Sequence, residues 1–408
     1  RSFYVSTEEF LLSPEVKGFD NELILLKGSR QFHFEQIVEQ LEKRVHETIL
    51  EVNLDAIVHN FNYFRSLLEP KTKMVVMVKA FGYGAGSYEI AKTLQEHRCD
   101  YLAVALADEG AALRKEGISI PIMVMNPEMN SMNVLFEYQL EPEVYSFRLL
   151  EALIYEAERR GITSFPIHLK VDTGMHRLGF QPEQLPEVVE RLNRQSGVMI
   201  RSVFSHLAGS DEEVYDSFTE QQVGRFNQAV AELEKGLGYP MLHHILNSSG
   251  IERFAHYQMD MVRLGIGLYG VSPTHQDALR NVSTLRTVIL QIQSVAAGET
   301  IGYSRNGRVE RDSRIAILPI GYADGLDRRL SHLGGEVVVG GKRCPIIGNI
   351  CMDICMVDVT DTDAREGDSV VIFGEGLSVS ELADKLGSIS YEVLTTISPR
   401  VKRIYFRE

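Results

Sequence analysis

The sequence predicts an α/β protein in which a (β/α)8 barrel of the TIM type is followed by a mostly β C-terminal domain. Eight short apolar runs alternate with amphipathic stretches between residues 73 and 266. After about residue 281 the pattern changes to alternation of apolar and polar residues, which is typical of half-buried strands. The length of 408 residues also exceeds what one hydrophobic core usually holds. An open doubly wound sheet is the competing architecture.

The eight runs are expected to be the parallel strands of the barrel. They cover residues 74–78, 101–104, 122–125, 143–145, 167–171, 201–204, 244–246 and 262–266. Helical patterns lie between them; the one that begins at Phe147 repeats its apolar residues every three or four positions and stops at Gly161. In such a barrel the active site is built from the loops that follow the C-terminal ends of the strands.

The second domain is predicted from a separate set of runs. Strands are expected at residues 283–297, 315–319, 336–339, 355–359 and 369–373, and helices at 380–386 and 391–397. Residues 48–54 also alternate, so we expect an N-terminal strand that pairs with this domain. We therefore assign residues 46–280 to the barrel and residues 281–408 to the C-terminal domain.

Composition excludes several classes of function. A net charge of −14 argues against nucleic-acid binding, which requires a basic face. The sequence contains no apolar run of about 18 residues and no signal-peptide pattern at its start, so we expect no membrane partner. The four cysteines form no evident disulfide framework, which favours a cytoplasmic protein.

Lys79 is the strongest candidate for a chemical role. It ends the apolar run 74–78 and is followed by a turn that contains three glycines and Tyr83. A desolvated lysine at the mouth of a barrel can act as a nucleophile, and the tyrosine could reach a phosphate group. The alternative is a lysine that simply leaves a strand and becomes solvated.

Polar segments follow four later strands of the predicted barrel. Lys170 lies on the fifth strand and Arg177 in the loop after it, while His206 follows the sixth strand. Ser248 lies in an Asn-Ser-Ser-Gly segment that could receive a phosphate, and Arg263 opens a glycine-rich segment at the eighth strand. Each has an ordinary structural alternative, such as a helix cap, a buried histidine or a turn.

Two tyrosines are candidate acid/base groups in the second domain. Tyr303 and Tyr322 each follow a glycine turn, and neighbouring cations could lower the pKa of either from its reference value of about 10. The alternative is two half-buried aromatic side chains. Cys351 and Cys355 have no second ligand pair nearby, so no metal site is expected.

Together these segments resemble the pyridoxal-phosphate-dependent alanine racemases. The matching blocks occur in order at residues 78–84, 170–175, 205–206, 247–248, 263–265, 302–304, 321–325 and 352–353. The resemblance implies pyridoxal 5'-phosphate as cofactor and L- and D-alanine as substrates. It also implies a head-to-tail homodimer whose active sites each combine one subunit's barrel with the other's C-terminal domain.

The resemblance also implies a role for each candidate residue. Lys79 would bind the cofactor covalently and serve as one catalytic base, and Tyr303 of the second subunit would be the other. The remaining matches are the phosphate binders Tyr83, Ser248, Tyr391, Gly265 and Ile266; Arg263 at the pyridine nitrogen; His206 beneath the ring; Arg177 at the phenolic oxygen and substrate; and Tyr322 and Met352 in the substrate pocket. Lys170 matches a lysine that is carbamylated in some members and orients the arginine corresponding to Arg177.

The alternatives to an alanine racemase are a racemase of broader substrate range, another barrel-type pyridoxal-phosphate enzyme such as a decarboxylase, and a noncatalytic cofactor carrier. Barrel-type pyridoxal-phosphate decarboxylases place a carboxylate at the pyridine nitrogen, whereas this sequence offers Arg263. A noncatalytic cofactor carrier would need only the barrel, and the additional domain with Tyr303 argues against it. Two acid/base groups suit racemisation, in which a proton leaves one face of Cα and returns to the other.

The N-terminal residues resemble a different family. Residues 24–30, Ile-Leu-Leu-Lys-Gly-Ser-Arg, are similar to the closing strand of the Mur peptidoglycan ligases, and an amphipathic helix is predicted for residues 34–45. Some bacteria carry such a ligase fused ahead of an alanine racemase. We therefore expect residues 1–45 to be the tail and linker of a Mur ligase, and the racemase to supply D-alanine for peptidoglycan.

Overall fold

The computed structural model describes residues 47–408 without a gap. Before them it describes residues 3–11 and positions 13, 15, 16, 19, 24, 26, 27, 32, 34 and 37. A short helix, α1, spans Thr7–Leu11. The run 24–30 and the helix expected at 34–45 lie for the most part outside the described residues, so their interpretation stays a prediction.

Eight parallel strands form the barrel, in agreement with the predicted fold class. They are β2 Lys73–Met77, β3 Tyr101–Val104, β4 Ile122–Val124, β5 Glu141–Val144, β6 Phe165–Lys170, β7 Val198–Phe204, β8 Leu242–His244 and β9 Met261–Leu264. From β2 to β8 each strand pairs with the next in chain order, and β9 pairs with β2. The bonds from Asp260 N to His243 O (3.2 Å) and from Arg263 N to Leu246 O (3.0 Å) join β8 to β9, so the ring is nearly closed.

Helices cover the outside of the barrel. They are α2 Leu54–Ser66, α3 Ser87–Glu96, α4 Ala107–Lys115, α5 Met132–Glu137, α6 Phe147–Arg159, α7 Leu185–Asn193, α8 Asp216–Leu237 and α9 Ser248–Arg253. In α6 the side chain of Ser146 accepts a bond from Leu149 N, and the helix buries an apolar face that includes Leu150 and Leu153. Burying each such leucine contributes about 1.5–3 kcal/mol. Among the described residues, no helix combines the length and apolar character needed to cross a bilayer.

The C-terminal domain is mostly β, as predicted. Its strands are β10 Ser283–Val288, β11 Gln291–Val295, β12 Thr300–Ile301, β13 Gly307–Arg308, β14 Ser313–Leu318, β15 Glu336–Val339, β16 Lys342–Pro345, β17 Cys355–Asp358, β18 Ser369–Phe373 and β19 Lys402–Phe406. Two helices, α10 Val379–Leu386 and α11 Ser390–Thr395, precede the last strand. Strand β1, Ile49–Asn53, pairs antiparallel with β10 and parallel with β19. The segment that enters the barrel therefore begins in the sheet of the other domain.

Several boundaries predicted from the sequence are wrong; for example, the sixth barrel strand, predicted at 201–204, begins at Val198. The run 283–297 is two strands, because Ile289 N bonds to Asp368 O and Leu290 N to Ile317 O. The chain thus leaves the six-stranded sheet for the three-stranded one at these residues. The seventh barrel strand, which the sequence predicts at 244–246, spans Leu242–His244. Beyond it, Leu246 O accepts the bond from Arg263 N of β9 without extending the strand.

Candidate active site

A cavity of about 430 Å³ opens at the C-terminal ends of the barrel strands. Nine predicted site residues line it: Lys79, Tyr83, Lys170, Arg177, His206, Ser248, Arg263, Gly265 and Tyr391. Ile266, a tenth, follows Gly265 and is buried. Met77, Met125, Asn126, Glu143, Asn247 and Ile389 complete the wall. The structure thus brings together the barrel candidates, as expected for loops at one end of a barrel, and adds Tyr391 from the C-terminal domain.

A left-handed turn follows Lys79. Ala80, Phe81, Gly82 and Tyr83 have φ values between 51° and 58°, and Gly84 has a φ of 81°. Each non-glycine residue in this conformation costs about 1–2 kcal/mol, so the surroundings must hold the turn in place. Glu109 Oε1 accepts a bond from Ala80 N (2.7 Å), and Arg403 Nε donates to Gly84 O (2.9 Å).

The amine of Lys79 is held in an environment that disfavours its charge. Burial lowers the pKa of Lys79 from its ordinary value, and the nearby Arg177 lowers it further, while Glu109 opposes the change. A larger fraction of the amine is therefore neutral near pH 7 than for an exposed lysine. Because only the neutral amine is nucleophilic and basic, this position suits the role predicted for Lys79.

Hydroxyl and backbone groups form an anion cradle on one side of the cavity. Ser248 Oγ accepts bonds from Gly265 N (2.9 Å) and Gly267 N (3.3 Å). A Cβ atom on Gly265 would lie 3.2 Å from Tyr83 Oη and 3.7 Å from Ser248 Oγ, so the missing side chain leaves space between the two hydroxyls. Burial raises the pKa of Tyr83 and raises that of Tyr391 to about 12, so both remain neutral donors.

Arg263 crosses the floor of the cavity, and both terminal nitrogens of its guanidinium are hydrogen-bonded to the protein. Its Nη2 donates to Ser205 O (2.6 Å) and Ile245 O (3.1 Å), and its Nη1 donates to His244 Nδ1 (2.8 Å). Nε has no acceptor among the described residues. Burial lowers the pKa of Arg263 to about 10, so the guanidinium keeps its charge at neutral pH.

His206 lies beside this guanidinium. Its Nδ1 is 3.4 Å from Arg263 Nη2. Burial and then the charge of Arg263 lower the pKa of His206 well below its usual value, so the ring is neutral at pH 7. A neutral, half-buried imidazole can stack beneath a planar ligand without adding to the positive charge of the cavity.

A buried hydrogen-bonded column extends from Arg263 across the barrel interior. His244 Nε2 lies 2.8 Å from Ser202 Oγ, which lies 2.6 Å from His168 Nδ1, and His168 Nε2 lies 2.8 Å from Glu141 Oε2. Because an arginine can only donate, His244 Nδ1 must accept and its Nε2 must carry the proton. One direction of donation, from Arg263 through to Glu141, then satisfies every group.

Glu143 is a site residue that the sequence analysis did not identify. Lys170 Nζ donates to Glu143 Oε1 over 2.9 Å inside the barrel, so the buried lysine has the partner that its burial demands. A glutamate within the short strand β5 was the available signal, because a charged residue in a barrel strand needs an opposite charge. Three residues of the column, Ser202, His168 and His244, were also missed.

Three candidate residues of the C-terminal domain, Tyr303, Tyr322 and Met352, lie outside the barrel cavity, whereas the fourth, Tyr391, lines it. Tyr303 and Met352 line a second cleft with Ile354, and they share no lining residue with the barrel cavity. Tyr322 lies next to that cleft, since its backbone N donates to Cys351 O (3.1 Å). Tyr303 is 72% exposed and Met352 is 54% exposed. A single chain therefore does not bring Tyr303 and Lys79 together.

Comparison with known proteins identifies relatives over nearly the whole chain. The family models described as "Alanine racemase, N-terminal domain" and "Alanine racemase, C-terminal domain" match residues 52–273 and 282–405. "Alanine racemase 2" of Caldanaerobacter subterraneus subsp. tengcongensis is 39% identical over 372 residues, which cover 88% of this chain and 95% of that protein.

Solved structures agree with this assignment. An alanine racemase of Clostridium difficile 630 superposes with a TM-score of 0.84 at 34% identity and covers 89% of this chain and 97% of its own. An alanine racemase of Bartonella henselae, described with covalently bound pyridoxal phosphate, has a TM-score of 0.81 at 30% identity, with coverage of 88% and 100%. With both domains matched in order and relatives above 30% identity across almost nine-tenths of its length, this chain belongs to the alanine racemase family.

Proposed function

We propose that the protein interconverts L- and D-alanine with pyridoxal 5'-phosphate as its cofactor. The observation that carries this proposal is the placement of the Lys79 amine in one cavity with an anion cradle and the Arg263 guanidinium. A lysine, an anion site and a donor for a ring nitrogen are the groups that this cofactor requires. Family membership and the covalently bound pyridoxal phosphate of the Bartonella henselae racemase support the same interpretation.

The residues present fit the cofactor. The space left by Gly265 between Tyr83 Oη and Ser248 Oγ suits phosphate oxygens, and Tyr391 and the backbone of Ile266 border the same region. Arg263 Nε is the donor without a described acceptor, so we assign it to the pyridine nitrogen. His206 would lie beneath the ring, and Arg177 would contact the phenolic oxygen and the substrate carboxylate.

The chemistry of racemisation then divides between two bases. Pyridoxal phosphate, when bound, withdraws electrons from Cα of the amino acid and makes its proton acidic. Lys79 removes or returns that proton on one face, and Tyr303 does so on the other. Arg263 keeps its own proton, because its pKa remains at about 10, and would therefore donate a hydrogen bond to the ring nitrogen without protonating it.

A complete site in this proposal requires two subunits. Tyr303, Tyr322 and Met352 are exposed on the C-terminal domain, and their cleft is separate from the barrel cavity of the same chain. We infer a head-to-tail homodimer in which each cleft covers the other subunit's cavity. The exposed apolar side chains at the cleft support this arrangement, because they would be buried in the dimer.

The wider role follows from the product. D-alanine is a building block of peptidoglycan, and we propose that the enzyme supplies it in the cytoplasm. The four cysteines are free, which suits a reducing compartment. The likeness of residues 24–30 to a Mur ligase strand supports, as a proposal, a fusion between the racemase and such a ligase.

The proposed function is tested by incubating the cofactor-loaded protein with L-alanine and measuring D-alanine by chiral chromatography. We expect D-alanine from the wild type and a loss of at least 100-fold in Lys79→Ala and Tyr303→Phe, because each removes a base. Tyr155→Phe, at an exposed tyrosine of α6, is the matched control and should remain active. A loaded protein that releases CO2, or that binds alanine without forming D-alanine, contradicts the proposal.

A further inference from the structure

The barrel cavity holds an unusual balance of charge. Four cationic side chains line it, Lys79, Lys170, Arg177 and Arg263, and among its described lining residues Glu143 is the only carboxylate. Burial lowers the pKa values of Lys79 and Lys170, and the neighbouring charge of Arg177 lowers both further. The position of the single negative charge therefore determines which of the four cations is neutralised.

Only one of the two carboxylate oxygens of Glu143 is bonded to Lys170. Its Oε1 accepts the bond from Lys170 Nζ, whereas Oε2 is buried and has no partner among the described residues. The side chain is 0% exposed. Burial raises the pKa of Glu143, but Lys170, Arg263 and Arg177 all act against that rise and favour the ionised carboxylate. An unpartnered oxygen on a buried anion is costly, so a donor is expected there.

Arg177 carries hydrogen-bond donors of the kind that Oε2 of Glu143 lacks. Its guanidinium lines the same cavity and makes no hydrogen bond with any residue of the described part of the chain. It is near enough to Glu143 to influence the carboxylate electrostatically. The loop that carries Arg177 is fixed at its base, where Asp172 Oδ1 accepts bonds from Gly174 N (3.0 Å) and His176 N (3.1 Å). A side-chain rotation is thus the movement available to the arginine.

We propose that Glu143 is the carboxylate that positions Arg177, and that its ion pair keeps Lys170 as an unmodified ammonium. Oε1 holds Lys170 while Oε2 receives the guanidinium, so one carboxylate joins both cations. The part of the proposal that concerns Arg177 and substrate rests on the proposed function. The part that concerns Lys170 does not.

The chemistry of lysine carbamylation shows why the ion pair prevents it. A neutral Nζ attacks the carbon of CO2, the new N–C bond forms as one C–O π pair moves to oxygen, and nitrogen releases a proton. Glu143 opposes the first step because it favours the protonated amine. It also opposes the product, because a carbamate would place a second negative charge beside the carboxylate. Removing the charge of Glu143 removes both barriers.

Labelling with ¹³C-bicarbonate tests the state of Lys170 in the cofactor-loaded protein without substrate. We expect no carbamate signal in the ¹³C NMR spectrum of the wild type and a signal in Glu143→Gln that disappears in Glu143→Gln/Lys170→Gln. Glu141→Gln is the matched control: this carboxylate is two residues earlier on β5 and pairs with His168, so no signal is expected. A labelled Lys170 in the wild type, or no label in any variant, overturns the proposal. Glu143→Thr is a second variant if the glutamine variant does not fold.

Rescue by bicarbonate tests the positioning of Arg177. Glu143→Gln should raise KM for alanine about tenfold or more, the loss expected for one charge-assisted hydrogen bond, with a smaller change in kcat. Added bicarbonate should restore KM in this variant, because a carbamate on Lys170 would replace the missing carboxylate, and should not affect the wild type. If Glu143→Gln is carbamylated but added bicarbonate does not lower its KM for alanine, the proposal that Glu143 positions Arg177 is contradicted. An inactive wild type would instead contradict the proposed function and leave the labelling result intact.

Discussion

Nη1 of Arg263 lies 2.8 Å from Nδ1 of His244, and this bond sets the direction of every proton in the buried column behind it. The tautomers can be read by ¹⁵N NMR. We expect protons on Nε2 of His244 and of His168, and none on Nδ1 of either ring. His97 is an internal reference with the opposite tautomer, since its Nδ1 lies 2.8 Å from the carbonyl of Thr93. A proton on Nδ1 of His244 would contradict the column.

Interrupting the same column should cost stability. Ser202→Ala leaves Nε2 of His244 with a buried proton and no acceptor, so we expect the free energy of unfolding to fall by about 1–3 kcal/mol. Chemical denaturation measures this change. No loss of stability would mean that the hydroxyl of Ser202 is not the link between the two histidines.

The amine of Lys79 should titrate below the 10.5 of an ordinary lysine, because burial and Arg177 both disfavour its charge. Competitive acetylation followed by mass spectrometry gives its pKa in the cofactor-free protein. Arg177→Gln removes a repelling charge, so reactivity should shift to higher pH. Arg148→Gln, on the outer helix α6, should cause no shift. A wild-type value at or above 10.5 would contradict the environment described for Lys79.

The anion cradle depends on the absence of a side chain at Gly265. In Gly265→Ala the new Cβ would occupy the space between Tyr83 Oη and Ser248 Oγ, so we expect affinity for pyridoxal phosphate to fall at least tenfold by calorimetry. Gly224→Ala is the control, because a Cβ there, in helix α8, meets no atom within 4 Å. Equal affinity in the two variants would place the phosphate elsewhere.

Packing of the C-terminal domain against the Lys79 turn should be visible in stability. A Cβ on Gly84 would lie 2.1 Å from the carbonyl oxygen of Leu394, and the residue has a φ of 81°. Gly117 has a φ of 90° but open space around it. Gly117→Ala should cost about 1 kcal/mol from backbone strain alone, and Gly84→Ala clearly more. Similar unfolding free energies for the two variants would contradict the close approach.

The sequence predicted the barrel well because the signals for it are local. Each strand is a short apolar run, and eight of them in order leave few architectures. The predicted strand ends were less accurate where tertiary contacts determine them, as at residues 289–290, where the chain passes from one sheet to another. Lys79 and the residues of the cradle could be singled out because glycines and hydroxyls mark the strand ends; the structure places them in one cavity, and their roles stay predictions.

Glu143 was missed because its role depends on strand register. It pairs with His168 across β5 and β6, and this register places Lys170, 27 residues away in sequence, within reach of its carboxylate. Nothing in the four residues of β5 indicates that partner. Tyr303 is a different case. The role proposed for it requires a second subunit, so neither the local sequence nor the fold of one chain brings it to Lys79.

The central claim is that Lys79 of one subunit and Tyr303 of another act on the same alanine. Lys79→Ala and Tyr303→Phe are prepared separately, dissociated, mixed, reassociated and loaded with cofactor, and D-alanine formation is measured. A mixed dimer has one of its two sites with both bases intact. Because half of the dimers are mixed and each has one working site, activity should rise from near zero to about a quarter of the wild-type rate. No gain over the separate variants, with mixed dimers verified by mass spectrometry, would contradict the account.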